Sequence, residues 1–534
     1  MSRTLFIGLT ALAGLLLLML CGAQAEDETV DMITIADTTG DWGYPSPYAH
    51  YARGPGYIRM SLIFDTLVWK DGDGFVPALA ESWEYLSDEK AYLFHLRDGV
   101  TWNDGQPFTA QDVAFTFQYI KDHPYTWIDS SSVEAAEAVD DRTVKIALTK
   151  DYAPFLDQVA GTLPILPEHI YSSVSDPAGF KDPAALTGTG PFKLVDYNQA
   201  QGTYLYEANE GYYQGAPRVK QIKFVKLSLE LSPAALEKGE VDAATVPGET
   251  VSDLQAGGFS VIEGSHDWLA KIMVNHKREP YSDVKFRRAL YYAIDRQELV
   301  DTALRGYGLA GSPGLYASDS DWYNPDQEQY SFDPAKAGQL LEEMGYEKNR
   351  EGQSGQSGQD SQDSQYYGKD GRTLETELLA TSVTERQGEL IVSQLKEAGI
   401  SADLRIVDAK TLDSLVGEWQ FDLALSGHGG LGADPAMLNR LVLDQKSFNS
   451  ARYNANQSLN DVLEEQIGEM AIDARADLVD RAQELIAGEL PALPMYYTDT
   501  YWAFNDKADY YYTYGGVGSG APIALNKIIF TANR

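Results

Sequence analysis

The chain is predicted to be a multi-lobed α/β protein. Three observations carry that expectation. At 534 residues it is long enough for two or three lobes. Short runs of alternating apolar residues, which suit half-buried strands, recur between segments of helical spacing. Gly, Pro, Asn and Asp punctuate the boundaries, as turns require.

Taken in order, residues 32–36 read as a first strand, and residues 37–57 form a loop rich in Gly, Pro and Tyr. In open α/β sheets, ligands sit beyond the carboxyl ends of strands, so Trp42 and Tyr44 in this loop are candidate binding residues. Packing of the loop itself is the equal alternative. Tyr92, Phe94 and Leu96 alternate with Leu93, His95 and Arg97, which predicts a strand with one apolar face. Asp98-Gly99 ends it, and Asn103-Asp104-Gly105 is a second turn. Thr109 with Asp112 forms an acidic capping box ahead of a helix carrying Val113, Phe117 and Ile120. Val144, Ile146 and Leu148 alternate again after Asp140-Asp141.

The sequence Thr187-Gly188-Thr189-Gly190-Pro191-Phe192 implies a tight crossing. No Lys-Ser/Thr pair follows it, so it is not a phosphate-binding P-loop. Ile222 and Phe224 belong to a central strand, and residues 271–275 to a crossing into another lobe. Residues 283–296 form an amphipathic helix, capped by Ser282 or Asp283. Phe286, Ala289, Leu290, Ala293 and Ile294 share one face, and the arginines are expected on the solvated face. Asp333-Pro334 opens another helix. Residues 350–371 are low in complexity and read as a mobile surface loop. A helix over 389–399 and strands over 402–407, 421–425 and 490–497 complete the reading.

Composition excludes several function classes. The formal charge of −37 argues against nucleic acid and against an anionic membrane surface as partners. The single cysteine, Cys21, leaves no thiol beyond the N-terminal segment for a disulfide, a Cys-ligated metal or a nucleophile. The seven histidines lack HxxxH or HExxH spacing, and no GxSxG or SxxK element has a credible setting. No resident cofactor is expected, and no catalytic site is recognisable. Tyr and Trp are abundant, 33 and 9, and such side chains suit a wet binding cleft as well as a core.

Arg3, the apolar run 5–20 and Ala23-Gln24-Ala25 describe a secretory signal peptide, with cleavage after Ala25. Lipidation at Cys21 and an uncleaved N-terminal anchor are the alternatives. Either way the protein is expected outside the cytoplasmic membrane, periplasmic or at the cell surface.

The order of Asp65-Thr66-Leu67, Pro77-Ala78-Leu79-Ala80-Glu81-Ser82-Trp83-Glu84, residues 95–113, the Gly188–Phe192 crossing and the 283–296 helix closely resembles the family 5 extracellular solute-binding proteins of ABC importers. The resemblance spans nearly all the chain after residue 25, apart from 350–371. It implies a type 2 (class C) periplasmic-binding-protein fold with two α/β lobes, an extra subdomain and a ligand cleft between the lobes. The implied division is lobe I over 26–70, 188–270 and 500–534, a subdomain over 71–187, and lobe II over 271–499. It also implies a monomer that captures a peptide or a metal chelate such as nickel and works with permease and ATPase subunits. A secreted sensor without transport is a further alternative.

The resemblance points to the loop 426–435 as the ligand site. Dipeptide-binding relatives carry there an aspartate that pairs with the ligand's amino group. Leu431 stands at that place, aligned through Gly427 and Asp434-Pro435. Nickel-binding relatives carry a histidine after the Asp-Pro pair, where this chain has Ala436. His428, at a strand end among glycines, is the candidate metal ligand or carboxylate donor. The alternative is a histidine that hydrogen-bonds its own loop. Trp268, placed before the inter-lobe crossing, and Tyr497, on the last strand of lobe II, complete the candidate cleft. Arg53 and Arg59 are candidates to meet a carboxylate.

Overall fold

The structure is a computed structural model. It describes residues 29–71, 74–264, 266, 268–348, 365–432, 434–508, 527 and 530. The signal-peptide segment with Cys21, most of the 350–371 stretch and the Tyr510–Tyr514 cluster lie outside the described residues.

A seven-stranded sheet gathers remote parts of the chain. In spatial order its strands are Ser260–Glu263, Tyr501–Phe504, Ala243–Val246, Val30–Asp37, Val219–Lys226, Thr203–Ala208 and Phe192–Asn198. Val30–Asp37 pairs in parallel with Val219–Lys226 on one side and Ala243–Val246 on the other. The carboxyl ends of these three strands therefore open on one edge. Ile33, Ile35, Ile222 and Phe224 are all essentially inaccessible and pack one core.

A six-stranded sheet runs Gly308–Ala310, Ala492–Thr498, Leu269–Val274, Leu423–His428, Glu375–Ala380 and Ser401–Ile406. Every residue of Leu269–Val274 is buried. The segment 271–275, expected to carry the crossing, is thus mostly an interior strand, and the chain passes between sheets just before it. Its only cation, Lys271, is fully buried.

A third sheet, in the order Ala80–Leu86, Ala91–Leu96, Thr143–Leu148 and Val133–Asp140, carries the helix Ala110–Asp122. Both hydrogen bonds of the Thr109/Asp112 capping box are present. The Gly188 and Gly190 crossing has a steric cause. A Cβ on Gly188 would stand 2.0 Å from the Ile63 carbonyl oxygen, and one on Gly190 2.5 Å from Ile63 backbone. Gly190 N–H then donates to Ile63 O at 2.7 Å.

Two expectations are corrected. Arg287, placed on a solvated face, is fully buried in the helix Val284–Ala293. Its guanidinium donates to the carbonyls of Tyr281, Ser282, Glu489 and Leu490. Periodicity missed this because four polar acceptors replace water around the charge. Within the 350–371 stretch, Tyr367–Lys369 forms a strand between Glu347–Lys348 and Arg372–Thr373. Tyr367 is buried there, so the end of the stretch is held by an aromatic anchor.

Candidate ligand site between the lobes

His428 ends the strand Leu423–His428, and its register partner on the neighbouring strand is Leu269. Trp268, one residue earlier, lies over Gly427. A Cβ on Gly427 would stand 1.9 Å from the indole. Only glycine permits that approach, so the sequence at 427 decides where the half-exposed Trp268 ring rests.

The ring of His428 is neutral. Burial, then the positive charges of Lys271, Arg440 and Arg53, push it down to about 3. Its Nδ1 contacts the carbonyl oxygen of Gly429. A carbonyl only accepts, so Nδ1 carries the proton and Nε2 keeps its lone pair. Lys271 donates to Asn449 O at 2.9 Å, and burial pushes its ammonium down to about 7.

Arg53 belongs to the loop after the first strand of the seven-stranded sheet, and Arg440 to the helix Met437–Val442 of the other lobe. Arg53 reaches 3.9 Å from Asp413 of the opposite lobe. Arg440 also walls a cavity of about 750 Å³ between the subdomain and the second lobe. Tyr125, Trp127 and Tyr152 form its aromatic side, and Asp129, Asp444 and Lys446 add charges of both signs. That volume lies in the usual range for a small-molecule site. Ala153 N–H donates to Ile467 O at 2.8 Å beside it, so the two walls touch.

The other candidates are placed elsewhere. Trp42 donates its indole N–H to Asp37 at 2.9 Å, and Tyr44 packs on Tyr197 with its hydroxyl directed at Asp182 O. Trp42 ties the loop to the first strand, and Tyr44 ties it to Tyr197 and to Asp182 of the subdomain. Tyr497 is fully buried and donates to Leu315 O at 2.7 Å, so it is a core residue and not a cleft residue. Asp434 is engaged by both terminal nitrogens of the buried Arg475 and accepts from Ala436 N, so its charge is answered within the lobe. Leu431 is buried in a cluster with Leu269 and Tyr316. It lines a separate cavity of about 500 Å³ with Glu263, His266 and Asp319. The sequence did not single out Lys271, Arg440 or the Tyr125–Tyr152 wall. A lone lysine in the apolar run 269–274 was the available signal.

Comparison with known proteins fixes the family. Residues 74–450 match the family described as bacterial extracellular solute-binding proteins, family 5. The chain belongs to that family. It is 28% identical over 480 residues to the heme-binding protein A of Haemophilus influenzae, covering 83% of each chain. It is 31% identical over 298 residues to the dipeptide-binding protein of Escherichia coli, 51% of this chain and 55% of that one. Among solved structures, NikA of Brucella suis in complex with Fe(III)-EDTA superposes with a TM-score of 0.77 at 20% identity, covering 93% and 99% of the two chains. DppA of Helicobacter pylori in complex with the peptide STSA gives 0.75 at 21% identity, covering 95% and 99%. These likenesses show the two-lobed type 2 periplasmic-binding-protein fold. The members of that family are solute-binding proteins. No helix among the described residues is long and apolar enough to cross a membrane.

Proposed function

We propose that the protein is the solute-capturing subunit of an ABC importer and that its solute is a peptide or peptide-like molecule with a free carboxylate. One observation carries the choice. In a chain of net charge −37, Arg440 lines the inter-lobe cavity beside Tyr125, Trp127 and Tyr152, and its charge, with those of Lys271 and of Arg53 from the first lobe, acts on His428. A carboxylate in that cavity meets Arg440, whose fork matches a carboxylate bidentately. The Tyr125, Trp127 and Tyr152 wall takes apolar side chains, and Asp129 or Asp444 supplies the counter-charge for an amino group that Leu431 does not. Lobe closure would hold the solute for delivery to the permease.

A metal chelate is the second reading, favoured by the Nε2 lone pair of His428. A histidine whose Nδ1–H is fixed by a backbone carbonyl is a ready metal ligand.

Native mass spectrometry of the protein purified from its own host, with elemental analysis of the same sample, tests both. A ladder of bound peptides, lost in Arg440→Gln, supports the first reading. Stoichiometric metal lost in His428→Ala supports the second. Peptide carriage unchanged by Arg440→Gln and Arg53→Gln overturns the proposed site.

A further inference from the structure

A third cavity lies at the carboxyl ends of the three parallel strands. It measures about 170 Å³ and is lined by Asp37, Trp42, Pro55, Arg59 and Thr245 among others.

Arg59 is its unusual feature. The side chain is 1% exposed, and its guanidinium carbon stands 3.5 Å above the Phe224 ring. Stacking of that kind uses one face and leaves the hydrogen-bonding rim to point outward in the plane. Nη2 donates to Asp37 Oδ2 at 2.6 Å. Among the described residues, Nε and Nη1 find no hydrogen-bond partner. Asp37, by contrast, is saturated. Its other donors are the Thr39 and Gly40 N–H groups and the Trp42 indole. The acceptor is complete and the donor is not, so Arg59, which lines the cavity, keeps spare N–H groups. Buried unpaired donors on a charged side chain are costly and are normally met by a ligand or by water. Pro55, at the start of the helix Gly54–Ser61, also lines the space, so that helix's amino end adds to the positive potential.

We propose that this cavity is a carboxylate subsite, in which a carboxylate oxygen accepts from one of the two unpaired donors of Arg59, Nε or Nη1. The carboxylate comes either from the imported solute or from a small free carboxylate held in the first lobe. The site does not depend on the identity of the solute proposed above.

The test is a titration of the mature protein with ¹³C-formate at fixed ionic strength, following the line width of the formate signal. Arg59→Met alone would leave Asp37 buried without its cation, so the main comparison is the Asp37→Asn/Arg59→Met double variant, with thermal melting to confirm folding. Arg59→Lys is the second variant, because it keeps the charge and loses the planar set of donors. The expected result is saturable broadening with the parent protein. Affinity should fall about tenfold or more in the double variant and measurably in Arg59→Lys. Equal broadening in the folded double variant, or none in the parent, overturns the proposal and leaves water as the occupant. Repeating the titration with a carboxylate-bearing peptide present separates the sources. Displacement of formate assigns the subsite to the solute, and undisturbed formate assigns it to a free small carboxylate. Failure of peptide binding at Arg440 would not alter the formate result, so the two proposals fail separately.

Discussion

The two connections between the lobes are joined through His266 and Asp499. His266 lies on the passage from Ser260–Glu263 to Leu269–Val274, and Asp499 on the return from Ala492–Thr498 to Tyr501–Phe504. His266 Nε2 is 2.7 Å from Asp499, and Nδ1 is 2.7 Å from Asp319. Gly264 N–H donates to Thr500 O at 2.8 Å beside them. With a carboxylate at each ring nitrogen, the charged imidazole is the form that satisfies both.

Burial alone would lower the His266 value, but Asp319 and Asp499 outweigh it and hold it above the usual 6.5. Glu263 also faces the ring, and Tyr501 donates to Asp499. The folded-state value is raised, so the stabilisation is complete below about 6.5 and is lost as pH climbs through the higher folded value. His266→Gln should therefore destabilise by roughly 1–3 kcal/mol near pH 6 and by less near pH 8.5. Urea unfolding of both proteins across that range reads the difference. A gap that stays constant with pH would show that the ring is not charged.

Lys527 and Asp65 form a second long-range tie. Both side chains are buried, their charged groups are in contact, and the ammonium lies 4.2 Å from the Trp69 ring centre. Lys527→Met strands a buried carboxylate and should cost roughly 3–5 kcal/mol. Asp65→Asn/Lys527→Met removes both charges and should recover much of that loss. Urea midpoints of the three proteins decide it. A double variant no better than Lys527→Met would place the cost in packing instead of charge.

The contrast between these ties and the strands shows what the sequence could carry. The strand Ala91–Leu96 and the Thr109/Asp112 box depend on neighbours within a few residues, so alternation and turn chemistry reveal them. Arg287 takes acceptors from Glu489 and Leu490, about two hundred positions away, and no local pattern encodes that. The same holds for Asp434, whose charge is answered by Arg475, and for Tyr497, whose hydroxyl is spent on Leu315. His428 was singled out by its place among glycines at a strand end, and Trp268 only by the family resemblance. Lys271 and Arg440 stand out only once sheet pairing and the inter-lobe cavity place them.

Arg287 therefore makes a prediction of its own. It binds the last carbonyls of the helix Ile472–Glu489, which ends at Leu490 with a positive φ of 45°. Arg287→Met leaves these carbonyls without donors and should cost roughly 3–5 kcal/mol. Arg287→Lys, with one compact ammonium in place of a fork, should recover only part. Chemical unfolding of both variants measures this. Near-native stability of Arg287→Met would mean that water replaces the guanidinium.

Gly427 offers the sharpest test of the proposed cleft. Gly427→Ala puts a methyl where the Trp268 ring lies, with only 1.9 Å between them. Trp268 lies just before the strand Leu269–Val274 and is half exposed, so the ring can swing outward at modest cost to the fold. Stability should change by about 1 kcal/mol or less. If Trp268 covers the solute beside His428, affinity for the host-derived ligand should fall about tenfold, because the aromatic surface leaves the site. Trp268→Ala should show the same loss, and the double variant no further loss, since both substitutions remove one contact. Titration calorimetry of the three variants checks this. Full affinity in Gly427→Ala with a displaced tryptophan fluorescence maximum would take Trp268 out of the binding surface while leaving the cationic cluster of Arg53 and Arg440 untouched.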